Sequence, residues 1–259
     1  GLEPEDAFLM RTVEDALRFK DRLKKNDIKH AVVIGASMAG IKVVEVLHKY
    51  GIETWLLDLA SYIFPLAAYK EVAKEIEKRV EAQGVHLMFG VTIDHMEQEN
   101  GEKTAVLTDG SRIPADIVGL CIGTRAITET VQGEVEIGRG IVVDDHMRTS
   151  VPGIYAAGDC CEGNNLESGQ NQIIGLWANA NHQGETAGIN MAGGDMAYKG
   201  NILHNITHFM NMDFIGFGDN RMQGEVLEYG SLSEDLYIRL VLDGKRIVGA
   251  NILDNYRVS

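Results

Sequence analysis

Apolar positions along this chain follow two periods, and the change between them divides it. The run HAVVI, from residue 30, stops at Gly35 and gives way at once to a helical pattern in which Ile41, Val44 and Leu47 share a face beside Val43 and Val46. That spacing predicts a strand, a tight turn and a helix, ended at Tyr50-Gly51 by a glycine in the C′ place. A second apolar run, IETWLLD, closes at Asp58. Upstream, residues 12–25 place Val13, Ala16, Leu17 and Leu23 along one face, with Thr12 as N-cap and Asp15 three positions on, so an amphipathic helix is expected there. Downstream, Val72, Ile76 and Val80 form one stripe over residues 69–83, with Glu75 and Arg79 four apart on the wet side and KEIEKR as a solvated face. Gly84 ends that helix and VHLMF follows as a third strand. The order β-α-β-α-β predicts a parallel sheet with right-handed crossovers.

From residue 91 the period shortens. Residues 91–113 alternate in short runs broken at Asn100-Gly101 and Asp109-Gly110, both hairpin signals, so a β-meander is expected, leading through Pro114 and Asp116 into a buried strand at 117–123. Residues 124–140 are glycine-rich and polar. Two further strands are expected at 141–143 and 154–159, flanking the turn at Pro152-Gly153. A loop over 162–171 precedes a helix from about 176 to 192, which Gly193-Gly194 breaks. Strand-like runs return from 200 onward, with a hairpin around Asp243-Gly244. The fold class is α/β.

Candidate chemistry sits on the first turn. Gly35, Ser37 and Gly40 occupy the three glycine places of G-x-G-x-x-G, with Ala36 and Met38 between them, and the helix they open presents free N–H groups to a pyrophosphate. Asp58 lies 58 − 35 = 23 residues on, where a dinucleotide fold places the carboxylate that takes the ribose hydroxyls. Leu59, Ala60 and Ser61 follow it without a cation, which favours NAD(H) over NADP(H). Composition narrows the rest. At 259 residues, 45% of them hydrophobic, the chain can bury real cores, and a formal net charge of −14 argues against a nucleic-acid footprint. The acidic start GLEPEDAF and the lack of any apolar run of membrane-spanning length predict a cytoplasmic protein without signal peptide or anchor. Cys121 and the neighbours Cys160 and Cys161 make no disulfide framework, and a redox pair of adjacent cysteines is disfavoured by ring strain. His204 and His208 fall in strand-like sequence, so no metal site is expected.

These segments together resemble the pyridine nucleotide-disulfide oxidoreductase family. Residues 115–125 (ADIVGLCIGTR) resemble the strand that closes its NADH domain, residues 139–159 (RGIVVDDHMRTSVPGIYAAGD) its second FAD signature, and residues 175–194 the helix that follows in the branch of NADH:rubredoxin and ferredoxin reductases and nitrite reductase flavoproteins. The resemblance implies a Rossmann-like NAD-binding domain with a β-meander over 1–123, the C-terminal part of a split FAD-binding domain over 124–195, and the start of an α+β C-terminal domain over 196–259. It implies that Ile122 and Gly123 lie along the nicotinamide nucleotide, that Gly158 and Asp159 hold the flavin's ribityl chain, and that Trp177 and Ala178 open a helix aimed at the flavin pyrimidine edge. Met38 stands where many relatives carry a gating aromatic residue, and Lys42 where disulfide reductases place a glutamate, so Lys42 either pairs with a carboxylate on the family's N-terminal part that is absent here or is a solvated helix residue. The family's first FAD motif has no counterpart here, which implies a fragment. The activity implied is hydride transfer from NADH to FAD and on to a second acceptor: rubredoxin, a ferredoxin-like carrier or a small molecule. A homodimer is left open, and the alternative is a non-catalytic NAD(H)-binding module.

Overall fold

The computed structural model describes residues 6–131, 133–234 and 236–254. The chain divides into two compact units, residues 1–123 with 205–259, and residues 124–204.

The first unit opens with β1 (Ala7–Leu9), α1 (Val13–Leu23), β2 (His30–Ile34), α2 (Met38–Lys49), β3 (Glu53–Asp58), α3 (Lys70–Glu81) and β4 (His86–Phe89). A meander of β5 (Ile93–Glu99), β6 (Glu102–Leu107) and β7 (Arg112–Pro114) then leads into β8 (Ile117–Leu120). The parallel sheet runs β1-β8-β2-β3-β4. One face packs Ala31, Val33 and Leu56 against Ile41, Val44 and Leu47 of α2 and Val72, Ile76 and Val80 of α3. On the other, Val32, Leu57 and Val118 meet Ala105, Leu107 and Ile113 of the meander. Cover on both faces is why these strands read as unbroken apolar runs instead of alternating ones. Each Val, Leu or Ile among them that is fully buried contributes about 1.5–3 kcal/mol. The meander's first turn falls where expected: Asn100 and Gly101 have φ of 52° and 86°, the left-handed pair that a two-residue hairpin turn requires.

Two expectations for this part need correction. Thr12 does cap α1 in a full capping box with Asp15, yet the face that packs is Phe19 and Leu23, while Val13 and Leu17 remain 71% and 54% exposed. The reason is β1, three residues too short to read from periodicity, whose buried Phe8 meets Phe19 edge-on at 5.2 Å and draws only the second half of the helix onto the sheet. The KEIEKR stretch of α3 is not a solvated face. The Glu77 carboxylate accepts from the Ile63 N–H at 2.9 Å, and Arg79 donates to Glu75 at 2.9 Å and to the Leu232 carbonyl at 2.7 Å while also pairing with Asp254.

The second unit is built differently. At 141–143 and 154–159, where strands were expected, pairing is reduced to single-residue bridges, Ile137 to Ile141, Ile141 to Cys161 and Arg148 to Tyr155. Its regular pairing is β9 (Gly163–Asn164) with β10 (Asn171–Gln172), followed by α4 (Trp177–Met191) as expected. The buried face of α4 is mostly polar: Asn179, Gln183, Thr186 and Asn190, with Ala187. Loops without a ladder leave backbone groups that need partners, and these side chains supply them. Asn179 donates to the Ile174 carbonyl at 3.0 Å, and Asn190 donates to the carbonyls of His146 and Met196 at 2.9 and 2.8 Å.

The chain then returns to the first unit through β11 (His204–Phe209), β12 (Met212–Gly218), β13 (Glu225–Ser231), β14 (Leu236–Asp243) and β15 (Arg246–Leu253), ordered β11-β12-β15-β14-β13. The expected hairpin at Asp243-Gly244 joins β14 to β15, with Gly244 at φ 59°. Phe209 and Phe214 of this sheet join the core that also holds α2 and α3. Among the described residues, no helix is long and apolar enough to cross a membrane.

Candidate nucleotide site

The glycine loop lies at the carboxyl ends of β2, β3 and β8, the end of an open parallel sheet where ligands bind. Gly35 turns there with φ 107°, and a Cβ on it would stand 2.3 Å from the Cys121 carbonyl oxygen. A Cβ on Gly40 would stand 1.9 Å from the Gly35 carbonyl oxygen. Both positions therefore exclude side chains outright, and the backbone of the loop, the first turn of α2 and the end of β8 close on one another. Ser37, in the middle glycine place, caps α2: its Oγ accepts from the Gly40 N–H at 3.3 Å and donates to the Cys121 carbonyl at 3.4 Å. Met38 is the first helical residue and is half-buried.

Asp58 ends β3 beside this loop. One carboxylate oxygen accepts from the Ala36 N–H at 2.6 Å and the other from the Ala60 N–H at 2.8 Å. The carboxylate is thus held in place by the loop itself, and since an ionised carboxylate has about four lone-pair sites it retains capacity for ribose hydroxyls. Ile122 and Gly123 follow β8 at the same end of the sheet; Ile122 is 71% exposed and Gly123 has φ 96°. The Cys121 thiol behind them is pushed up to about 11 by burial, so it stays protonated near neutral pH. Lys42 is an exposed residue of α2 that pairs with Glu45 one turn on and donates to the His208 carbonyl at 2.7 Å. Glu45 is itself buried, and although burial opposes its charge, the bonds from Lys42 and Lys49 hold its pKa low.

In the second unit, Gly158 has φ 83° and donates its N–H to Gln183 Oε1 at 2.8 Å. Asp159 is exposed, and its Oδ2 lies 3.9 Å from where a Cβ on Gly175 would be, just ahead of α4. Trp177 and Ala178 open that helix with both side chains exposed, Trp177 by 88%. Cys160 and Cys161 are free thiols that donate to the carbonyls of Ala157 and Gly158, and Cys161 is pushed up to about 12, chiefly by burial. His204 and His208 lie on β11. Asp144, Asp145 and His146 have ligand-like spacing, but the imidazole is already engaged by Asp145 at 2.6 Å and Asp195 at 3.0 Å. A shallow depression of about 360 Å3 beside Trp55 and His86 is lined by none of the residues named at the loop.

A profile of the pyridine nucleotide-disulphide oxidoreductases matches residues 1–184. The chain belongs to that family. A NADH oxidase of Streptococcus pyogenes is 28% identical over 254 residues, covering 89% of this chain and 55% of the relative. A rubredoxin-NAD(+) reductase of Pseudomonas putida is 29% identical over 170 residues, covering 64% of this chain and 43% of the relative. The solved structure of a water-forming NADH oxidase from Lactobacillus brevis, bound to NADH, superposes with a TM-score of 0.88 at 24% identity over 98% of this chain and 60% of that one, a likeness of fold. The chain spans about half the length of the curated relatives it matches.

Beyond the family motifs, two residues at these sites escaped sequence reasoning. Gln183 could have been found, because Asn179, Gln183, Thr186 and Asn190 repeat at helical spacing and mark a polar face that must be bonded. Phe64 carried no such signal. Its N–H donates to the Ala36 carbonyl at 2.9 Å from a left-handed backbone, φ 54°.

Proposed function

We propose that this chain carries the NADH site, and part of the FAD site, of a flavin-dependent NADH oxidoreductase. The observation that carries the reading is Asp58 bonded to the Ala36 N–H inside a loop where Gly35 and Gly40 exclude any Cβ. That cradle fits a pyrophosphate: its backbone is open to close approach, and the α2 N-terminus stabilises negative charge. Asp58 orients the adenosine ribose, and its charge repels a 2′-phosphate. Ile122 and Gly123 flank the nicotinamide half. On the flavin side, Gly158 lets the backbone approach, Asp159 accepts from a ribityl hydroxyl, and Trp177 and Ala178 present a helix N-terminus that favours negative charge on the pyrimidine edge. These residues bind and orient; transfer of a hydride from nicotinamide to flavin is the chemistry the two cofactors supply when bound. The second acceptor is a small electron carrier such as a rubredoxin or ferredoxin-like protein, or a small molecule. Support comes from the named activities of the relatives.

Titrating NADH and NADPH separately tests the nucleotide assignment. NADH binds more tightly, and Asp58→Ala weakens it by about 1–3 kcal/mol, the loss of a charge-assisted hydrogen bond. Equal affinity for the two nucleotides sinks the role of Asp58. The visible spectrum of the purified chain after adding FAD tests the flavin half, and a chain that binds NADH but never flavin is a nucleotide-binding module.

A further inference from the structure

We propose that Asn251, together with Asn220, positions the glycine loop from the second sheet of the same unit, acting through Phe64. The inference rests on the nucleotide reading of that loop. Ala36, the residue between Gly35 and Ser37, is gripped from both sides: its N–H is bonded to Asp58 and its carbonyl accepts from Phe64. Phe64 makes that bond only because its backbone is left-handed, φ 54°, a conformation that aromatic residues rarely adopt and that surrounding structure must impose.

The imposing contacts come from the second sheet. The Phe64 ring, 2% exposed, meets Phe209 edge-on at 5.4 Å and stacks on Phe214 at 5.5 Å. The chain just after it is then held by two asparagines. Asn251, fully buried, accepts from the Tyr69 N–H at 2.7 Å and donates to the Ala67 carbonyl at 2.9 Å. Asn220 donates to the carbonyls of Pro65 and Ala68 at 3.0 and 2.7 Å. Gly216 completes the clamp, since a Cβ there would be 2.8 Å from the Ala67 oxygen. A buried side-chain amide that bonds two backbone groups two residues apart fixes the path of the segment between β3 and α3. Asp58, the other arm of the grip on Ala36, ends β3 and is held by that strand's ladder. The Phe64 arm is the one that depends on the clamp.

The test compares the full chain with Asn251→Ala, and with Val248→Ala as a control at a buried position on the same strand that offers no side-chain hydrogen bond. Amide exchange without nucleotide reads the loop directly. The Ala36 and Phe64 amides should exchange about tenfold faster in Asn251→Ala, beyond any change in Val248→Ala, as for release of a buried hydrogen-bonded segment. The NADH dissociation constant should rise about tenfold in the same variant, well below its unfolding temperature. A role confined to stability would lower the unfolding midpoint of both variants and leave both readouts equal. Unaltered Ala36 protection, with NADH binding intact, overturns the proposal alone. Failure of the unaltered chain to bind NADH overturns the nucleotide reading instead, and the exchange data still decide whether the clamp controls the loop. If Asn251→Ala does not fold, Asn220→Ala, at a half-buried residue, is held to the same two outcomes.

Discussion

The two units hold their candidate site residues by opposite means. In the first, the glycine loop is fixed by backbone against backbone. Gly35 and Gly40 leave no room for a methyl group, and strands on either side are locked in parallel ladders over an apolar core. In the second, Gly158 and Asp159 sit in chain that pairs only through single bridges, and side-chain amides of α4 provide what ladders provide elsewhere. A ladder is indifferent to side-chain identity along its length. A loop body tied by amides depends on each of them, so sensitivity to substitution should be distributed differently in the two units.

The largest effect expected is a glycine-to-alanine pair with opposite signs. Gly40→Ala drives a methyl group into the Gly35 carbonyl, 1.9 Å away, and should cost about 3 kcal/mol of stability, because the backbone on which it impinges cannot rotate aside. Gly184→Ala, at an exposed position inside α4 with nothing within 4 Å, should instead stabilise by about 0.5–1 kcal/mol through helix propensity. Chemical denaturation of the two variants checks this. A tolerated Gly40→Ala would mean that the loop is not closed by backbone contact, and the comparison would fail on its stronger side.

A smaller effect probes the amide ties. Gln183→Leu keeps volume but leaves the buried Gly158 N–H without its acceptor, costing about 1–3 kcal/mol. The lower end is expected, since the change also removes Gln183 Nε2, a buried donor without a partner. The loss should be confined to residues 124–204 and visible there by hydrogen exchange, while the fluorescence transition of Trp55, isolated in a Trp177→Phe background, stays put. Equal losses in both units would show that they unfold as one.

Legibility follows the same division. The parallel sheet, its crossover helices and the meander could be read because buried strands and two-residue turns impose local patterns: the run into Gly35, the stripe of Val72, Ile76 and Val80, and Asn100-Gly101. Asp58 could be placed by its spacing, though its bond to Ala36 could not. Residues 141–143 and 154–159 are apolar enough for strands, but apolar runs record burial and not the presence of a neighbouring strand, so bridges stood where ladders were expected. Phe64 was out of reach because its conformation is set by Phe209 and Phe214, about 150 residues away in sequence, and no local pattern encodes a long-range constraint.

The smallest effect separates the units by pH. Burial raises the pKa of Glu77 above its ordinary 4.5, with Glu81 adding and the Ile63 N–H opposing, so the folded first unit binds this proton more tightly than the unfolded chain does. Its contribution to stability is full below pH 4.5 and is lost as pH rises through the folded value. Glu77→Gln retains an acceptor for Ile63 without the charge, and should raise the Trp55 unfolding midpoint slightly at neutral pH while flattening its dependence above pH 4.5. In the second unit, the Asp145 carboxylate bonded to His146 raises that imidazole above 6.5, with Asp195 adding. The sign is the same, yet the window differs: that stabilisation is intact below pH 6.5 and disappears as pH climbs through the folded value. Urea titrations at pH 5.5 and 8, followed by exchange within 124–204, should therefore show a weakening on the alkaline side that His146→Asn abolishes and Glu77→Gln leaves untouched. If Glu77→Gln also altered the 124–204 profile, the two units would share one titrating stability and their difference in construction would not extend to their energetics.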